Sequence, residues 1–352
     1  MTTDAGTLRE PLRGALFGLC AAGLFGMSAP VAKLLLGKVE PVLLAGLGAA
    51  GGLWLHRAVT PRSREAGVSR KDLPALMGVV MSGGIAGPVL MLMGLSRVSG
   101  LSGSLLLNLE APFTMFLAVV LFREHMGRRA LAAAVLICAG ATLLDLQPGA
   151  LRADTTGVLL LAAACVCWAL DNNLTQKVSL RDPFAIVRIK TLGAGTVNTA
   201  LALLVVRSPP HGFGYIAAAL VLGGLSYGVS VVLDAYALRL VGAAREAAYF
   251  ATAPFVGVIG SLLLLGESIG PFQAVAMFVM LGGVALLIRE RHTHAHVHVA
   301  LEHDHLHVHD EHHQHEHSRD APADEPHAHP HRHAPLVHDH PHVPDAHHRH
   351  RH

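Results

Sequence analysis

Long apolar segments alternate with short polar connections from residue 14 to residue 288. A helix that crosses a hydrocarbon layer of ~30 Å needs roughly 20 mostly apolar residues. Ten segments approach that length, so the pattern predicts an all-α polytopic membrane protein with ten transmembrane helices. The predicted spans are 14–36, 40–57, 74–95, 100–122, 129–147, 157–176, 184–206, 213–236, 244–265 and 271–288.

The polar connections differ in positive charge, and this difference predicts the orientation of the chain. Lysine and arginine cluster in alternate connections, at 57–71, 123–129, 177–181 and 239–245. The connections on the opposite side carry only one or two basic residues each. Because basic loops stay in the cytoplasm, both termini are expected there, in a bacterial cytoplasmic membrane. The polar segment 1–13 does not resemble a cleaved signal peptide.

Composition fits a membrane protein and gives no indication of an enzyme. Hydrophobic residues make up 52% of the chain and charged residues 15%, with a formal net charge of +2. The four cysteines lie in apolar segments and predict neither a disulfide framework nor a zinc site. The spans contain no nucleophile elbow, phosphate-binding glycine loop or spaced metal-ligand motif. We therefore expect no catalysis and no required cofactor, and we expect no nucleic acid partner.

The two halves of the chain correspond to each other in sequence. Ala-Pro-Phe at 111–113 recurs at 253–255, and the Glu-x-x-Gly at 124–127 recurs at 267–270. Each half contains five predicted spans, so the second half must cross the membrane in the opposite sense. Inverted repeats of this kind characterise secondary transporters, whose substrate site lies near the midplane between the repeats. The predicted organisation is a cytoplasmic segment 1–13, five-helix repeats 14–147 and 148–288, and a tail 289–352.

A central proline in spans four and nine, followed 12 or 13 residues later by a glutamate, carries a family resemblance. The pairs are Pro112 with Glu124 and Pro254 with Glu267. With the opening spans of each half, these features resemble the EamA-type permeases of the drug/metabolite transporter superfamily. The resemblance covers about 14–288 and implies transport of a small solute. It does not indicate which solute, because that scaffold serves many substrates. Two features depart from the family pattern. Phe-Arg-Glu at 122–124 stands where the second half has Leu-Gly-Glu at 265–267, and the chain has a long tail.

Glu110 is an ionisable residue inside span four, where such residues are costly and usually functional. It lies about nine residues into the span, roughly 14 Å at 1.5 Å per residue, which is close to the midplane. We expect Glu110 to bind a proton or a cation and to couple transport to proton exchange. The structural alternative is pairing with Arg188 or Lys190 of span seven, or hydrogen bonding with Asn108.

Span six carries three consecutive polar residues, 171–173. Their side chains spread over ~300° of the helix, so at least one must contact a neighbouring helix. Prolines in the spans are expected to interrupt the helical hydrogen bonds and permit hinging. The glutamates at 124 and 267 are expected to make helix-terminal contacts, and Asp145 and Asp234 to be solvated at span ends. The predicted cavity consists of Glu110, Asn108, Pro112, Trp168, Asp171, Asn172, Tyr249 and Pro254.

The tail alternates histidine with other residues over much of its length. Only His56, His125 and His211 of the 26 histidines precede it. Neutral imidazoles with nearby carboxylates can bind Zn, Ni, Co or Cu. With few large apolar residues, the tail is expected to be disordered and to bind metal at several exchangeable sites, or to be low-complexity sequence without a selected role. The predicted metal ligands are His303, His305, His307, His309, His312, His313, His315 and His317.

The expected function is secondary transport, by proton-coupled alternating access, that exports a small organic metabolite or amino acid. One alternative is a transporter of divalent Ni, Co or Zn supplied by the tail. Another is a membrane-anchored metal buffer that transports nothing. Glu110 and Asp171 alone would be a sparse set of ligands for a metal path, which favours the organic solute. The expected partners are the lipid bilayer, the solute and tail-bound metal, and a homodimer is compatible with the pattern.

Overall fold

The computed structural model is a bundle of helices followed by the tail. It describes residues 9–59, 67–122, 126–145, 154–178, 181–205, 212–241, 246 and 249–288, and the backbone of 292–298, 301–307, 327–333 and 336–342. Every element described between residues 9 and 288 is helical. The all-α prediction is therefore confirmed for this part of the chain.

The described residues of the bundle form fourteen α-helices. In the first half these are α1 (Arg9–Gly26), α2 (Ser28–Leu36), α3 (Pro41–Val59), α4 (Leu73–Val79), α5 (Gly87–Leu95), α6 (Gly100–Leu106), α7 (Glu110–Phe122) and α8 (Arg128–Asp145). In the second half these are α9 (Thr155–Lys177), α10 (Pro183–Val205), α11 (Phe213–Gly223), α12 (Ser230–Val241), α13 (Ala253–Leu265) and α14 (Pro271–Ile288). Short 3-10 helices occur at Arg70–Asp72 and Leu107–Leu109, and π-helices at Val80–Ala86 and Gly224–Val229.

Length and apolar composition make this a multi-pass membrane protein. Six stretches of the described residues could cross a membrane: Leu12–Leu36, Arg70–Leu95, Gly100–Leu121, Thr155–Lys177, Phe213–Asp234 and Pro271–Ile288. Shorter apolar helices occupy Pro41–Gly52 and Ala253–Leu265. The other two predicted spans, 129–147 and 184–206, correspond to helices α8 and α10. Six spans are thus supported by length and composition, and the count of ten remains a prediction.

Several of the predicted spans are interrupted near their middle. Met27 separates α1 from α2, the π-helix at Val80–Ala86 separates α4 from α5, and the 3-10 helix at Leu107–Leu109 separates α6 from α7. A proline lies in the first turn after each of these breaks, at positions 30, 88 and 112. Proline has no N–H to donate to the preceding turn, which explains why the α-helical pattern stops and restarts there.

Glycines allow close backbone contact where helices cross. A Cβ atom added to Gly223, at the end of α11, would overlap the backbone of Gly48 in α3. A Cβ on Gly283 of α14 would lie 2.9 Å from the carbonyl oxygen of Ala133 in α8. Small residues at such crossings bring helices close enough to pack without a hydrophobic driving force in lipid.

Four tail segments have strand backbone: β1 (His292–His298), β2 (Leu301–His307), β3 (His327–His333) and β4 (Leu336–His342). β1 pairs antiparallel with β4, and β2 with β3, which places His305 opposite His329. The predicted disorder is not confirmed for these segments, where alternating histidines have the period of two typical of strands. His309, His312, His313, His315 and His317 lie outside the described residues. Metal binding by the tail remains a prediction.

Candidate functional site

Helices α7 and α9 place the predicted polar residues side by side. The Asn172 side-chain amide donates to Glu110 Oε1 at 2.8 Å and lies 3.5 Å from Thr114 Oγ1. The Asn108 amide instead donates to the Leu105 carbonyl at 3.1 Å. Glu110 is the first residue of α7, and its backbone N–H donates to the Leu107 carbonyl of the preceding 3-10 helix. The side-chain hydrogen-bond partner of Glu110 is therefore Asn172.

Asp171 forms an ion pair with Lys190 of α10. The Thr175 hydroxyl donates to the other carboxylate oxygen of Asp171 at 3.3 Å. Lys190 was expected as an alternative partner of Glu110, but it forms its ion pair with Asp171 instead. Breaking a buried pair by removing one partner leaves an uncompensated charge, so each of these side chains depends on the other.

The three consecutive polar residues of α9 face different surroundings. The Asn173 amide donates to the carbonyl oxygens of Thr114 at 3.1 Å and Ala169 at 2.8 Å, so it joins α9 to α7. This confirms that at least one of the three contacts a neighbouring helix. Asp171 and Asn173 are 3% and 2% exposed, whereas Asn172 is exposed. Asn172 and the half-buried Glu110 are therefore more accessible than Asp171 and Asn173.

Glycines of the π-helix at Val80–Ala86 and of α5 make room for α9. A Cβ atom on Gly83 would overlap the Asp171 carboxylate, and one on Gly87 would lie 2.6 Å from Trp168 Nε1. Trp168 Nε1 donates to the Gly83 carbonyl at 3.3 Å, and the Asn198 amide donates to the Gly84 carbonyl at 3.2 Å. The Trp168 and Asn198 side chains thus donate hydrogen bonds to backbone carbonyl groups of the π-helix, and these bonds stabilise the irregular segment inside the bundle.

Four aromatic rings form a cluster beside the polar residues. The Phe25 ring centroid lies 6.3 Å from that of Trp168, 6.2 Å from that of Tyr227 and 5.2 Å from that of Phe250. The Tyr227 hydroxyl is buried without a hydrogen-bond partner and lies within electrostatic range of Glu110. This aromatic cluster offers apolar and π-electron surfaces, and Tyr227 offers a free hydroxyl, next to a carboxyl group.

The other predicted cavity residues lie at the edges of this arrangement. Pro112 and Pro254 are in the first turns of α7 and α13, where they shape the helix starts. Tyr249 packs against α1, since a Cβ on Gly18 would lie 3.0 Å from its Cδ2 atom. Neither proline brings a polar side chain to the site.

Asp234 differs from the prediction of a solvated carboxylate. Its Oδ1 atom is buried without a hydrogen-bond partner, and its carboxyl group is hydrogen-bonded to that of Glu246. The sequence alone places Asp234 near a span end, but it does not show that Glu246 lies beside it.

The sequence did not predict a role for Phe25, Tyr227 or Phe250, and it indicated Lys190 only as an alternative structural partner of Glu110. A lysine inside a span requires a nearby carboxylate, so Lys190 carried a usable signal. The aromatic residues carried none, because an aromatic ring in a span is as consistent with packing as with a binding site. Among the described residues, no three His, Cys, Asp or Glu side chains are grouped to hold a metal ion.

Comparison with known proteins identifies the family of this chain. Residues 12–145 and 155–289 each match the model of the EamA-like transporter family. The chain belongs to this family. As an EamA-like transporter it is a membrane protein and not an enzyme, and the resemblance found in the sequence is confirmed.

Relatives of this EamA-like protein also have transporter names. A protein of Methanothermobacter thermautotrophicus described as an uncharacterized transporter is 27% identical over 303 residues, covering 81% of this chain and 88% of the relative. A protein of Streptantibioticus cattleyicolor named "probable terminal-alkyne amino-acid exporter" is 28% identical, covering 74% of this chain and 84% of the relative. One crystal structure shares the fold with a TM-score of 0.57 and 17% identity, covering 78% of this chain and 98% of that chain.

Proposed function

We propose that this EamA-like transporter exports a small organic metabolite or amino acid by proton-coupled alternating access. The observation that carries the proposal is Glu110, a half-buried residue whose carboxyl group accepts a hydrogen bond from the exposed Asn172 at an interrupted point of a span. A carboxyl group in this position can hold a proton or the cationic group of a solute, and the two compete. Such competition couples solute movement to proton movement.

The substrate class rests on the surroundings of Glu110. An ammonium group would pair with the Glu110 carboxylate, and an apolar side chain would pack against the aromatic cluster. The Tyr227 hydroxyl, which is buried without a hydrogen-bond partner in this structure, would donate to or accept from a polar group of a solute that reaches it when the site opens during transport. The name of the Streptantibioticus relative, an amino-acid exporter, supports the same class.

The proposal includes ten spans arranged as two inverted five-helix repeats, 14–147 and 148–288. The family model matches the chain twice, at 12–145 and 155–289, which supports two related halves. The π-helices at Val80–Ala86 and Gly224–Val229 fall at corresponding positions of the two halves, and this gives independent support. Inverted repeats place the substrate site between them, where Glu110 and Tyr227 lie.

The proposed orientation has both termini in the cytoplasm of a bacterial cell. A reporter enzyme that is active only in the cytoplasm should be active when it is fused after His352, because the basic connections stay on the cytoplasmic side. A reporter that is active only in the periplasm should be inactive at the same position. Fusions of a cytoplasmic and a periplasmic reporter at this position measure the orientation. Periplasmic activity would contradict it and would reverse the assignment of inner and outer ends.

The proposed role of the tail is to bind Zn, Ni, Co or Cu on the cytoplasmic side while the spans carry an organic solute. Deletion of 293–352 removes the histidine-rich sequence but no predicted span. We expect the truncated protein to transport its organic substrate at a near-normal rate in metal-free medium. The measurement is uptake of amino acids, other metabolites, and Ni, Co and Zn into inside-out vesicles by the full-length and truncated chains.

The same vesicles distinguish the two alternatives. Transport of a divalent cation that falls on truncation, at unchanged amounts of inserted protein, would favour the cation transporter supplied by the tail. Absence of transport of every solute, together with metal retention by the full-length chain, would favour the membrane-anchored buffer. Empty vesicles and vesicles with an unrelated membrane protein control for passive leakage.

A further inference from the structure

The turn between α5 and α6 is held by charged side chains of two other parts of the chain. Lys33 of α2 donates to the carbonyl oxygens of Leu95 and Val98, at 2.5 Å each. The Glu267 carboxylate accepts from the backbone N–H groups of Gly100 and Leu101, at 2.7 Å each. We call residues 87–106 the outer hairpin, because the proposed orientation places this turn outside the cytoplasm.

The two charges match the backbone groups that they contact. Lys33 lies at the carbonyl end of α5, which is the negative end of a helix, and Glu267 lies at the N–H end of α6, which is the positive end. Hydrogen bonds that involve an ionised group are shorter and stronger than neutral ones. The tip of the outer hairpin is therefore bonded to α2 on one side and to the connection after α13 on the other.

Irregular backbone adjoins both ends of the outer hairpin. The π-helix at Val80–Ala86 precedes α5, and the 3-10 helix at Leu107–Leu109 follows α6. Interruptions of this kind within a helix frequently mark hinges, because their hydrogen bonding is weaker or displaced. The outer hairpin is thus a short helical unit with irregular backbone at each end and charged contacts at its tip.

Both irregular segments contact the candidate site. The 3-10 helix at Leu107–Leu109 leads directly into Glu110, and Gly83 of the π-helix contacts Asp171 and accepts from Trp168 Nε1. The candidate site therefore adjoins the backbone at both ends of the outer hairpin.

We propose that the outer hairpin is the gate between the candidate site and the outside, and that Lys33 and Glu267 hold it closed. Opening breaks the four hydrogen bonds at the tip and bends the backbone at the two irregular segments. Lys33 and Glu267 are positioning residues in this cycle, since they touch the hairpin and not the solute. The gate rests on the proposed transport function, but it requires neither proton coupling nor a particular substrate.

Labelling of a cysteine in the site from outside the cell tests the gate. The reporter is Asn172→Cys in a chain whose four native cysteines are replaced by serine, and the probe is a membrane-impermeant methanethiosulfonate with a quaternary ammonium group. Glu267→Gln and Lys33→Met each remove one ionised partner. We expect each to increase the labelling rate about 10-fold or more, because hydrogen bonds to charged groups are among the strongest single contacts.

Arg97→Gln is the matched control on the same hairpin tip. Arg97 pairs with Asp154 at 3.5 Å, but the two side chains are 49% and 42% exposed, and such surface pairs contribute little. The labelling rate of the Arg97→Gln variant should stay within about 2-fold of the parent's, because this surface pair contributes little. Unchanged labelling in both Glu267→Gln and Lys33→Met, at normal amounts of inserted protein, would overturn the gate and leave these residues as static braces. An equal increase in Arg97→Gln would also overturn it, because any loosening of the tip would then suffice.

The labelling result is separable from the proposed function. It requires no substrate, so failure of every solute in the vesicle experiment leaves it interpretable. Conversely, a transporter that couples through Glu110 but shows unchanged labelling would retain its function and lose this gate.

Discussion

Replacing Glu110 by glutamine is expected to abolish the dependence of transport on a proton gradient while the protein still inserts and folds. The amide has nearly the same shape as the carboxyl group and can still accept from Asn172, so the hydrogen bond at 2.8 Å has a neutral replacement. It cannot bind or release a proton in the physiological range. The substitution therefore removes the carboxyl group on which the proton gradient acts, and it leaves neither a cavity nor an unpaired buried charge.

The effect is measured as solute uptake into inside-out vesicles with and without an imposed pH gradient. In the parent protein the gradient should increase uptake, and in Glu110→Gln this increase should fall at least about 10-fold, which corresponds to about 1.4 kcal/mol. Exchange of labelled for unlabelled solute across the membrane without a gradient should persist, because that exchange needs the binding site but no proton.

Asp154→Asn is the control for removal of a carboxylate. Asp154 caps the start of α9, where its side chain accepts from the Thr156 and Gly157 N–H groups, and the hydrogen bond from Gly157 lowers the pKa of this carboxyl group. Asparagine is an equally good N-cap residue, so the helix start is preserved. The control should keep gradient-driven uptake. Retention of normal pH dependence by Glu110→Gln would show that another group couples transport.

The spans could be predicted from sequence because the bilayer fixes a length that an apolar segment must reach. The six stretches long enough to span, and the shorter apolar helices at Pro41–Gly52 and Ala253–Leu265, coincide with predicted segments. The positions of Pro88 and Pro112 also indicated where a helix would be interrupted, since proline removes a donor. The spacing of residues in the sequence does not show whether an irregular segment is π-helical or 3-10.

The candidate site was predictable only in part. Glu110 stood out because an ionisable residue in a span is costly in lipid. Its partner was not predictable, because Asn172, Asn108 and Lys190 are all polar groups within the same range of depth, and the helix packing selects among them. Gly83 and Gly87 decide this packing by allowing α9 to approach closely enough for Asp171 and Trp168 to fit.

Glu267 illustrates the same limit for the gate. Its position after a span predicted a helix-terminal contact, and the structure confirms one with Gly100 and Leu101. The sequence could not show that the helix concerned lies more than a hundred residues away in the chain. The corresponding glutamate of the first half, Glu124, lies outside the described residues.

The pair formed by Asp171 and Lys190 gives the second large effect. Lys190→Met leaves a carboxylate that is 3% exposed without a positive partner. Removing one member of a buried pair costs about 3–5 kcal/mol, and partial exposure of the Lys190 side chain, 31%, favours the lower end of that range. We expect markedly less inserted protein and a lower melting temperature in detergent for this variant.

Asp171→Asn should be milder than Lys190→Met, because a partly exposed ammonium group can turn towards water whereas a buried carboxylate cannot. The double variant Asp171→Asn with Lys190→Met removes both charges and should recover most of the lost stability, since a neutral pair of similar volume leaves no uncompensated charge. Matched single and double changes at the exposed pair of Arg97 and Asp154 should each alter stability by about 0–1 kcal/mol. Monomer yield by fluorescence size-exclusion chromatography and thermal unfolding measure all of these variants. If the double variant is as unstable as Lys190→Met, Lys190 stabilises the bundle through its packing or through another partner. Charge neutralisation of Asp171 would then not explain the position of Lys190.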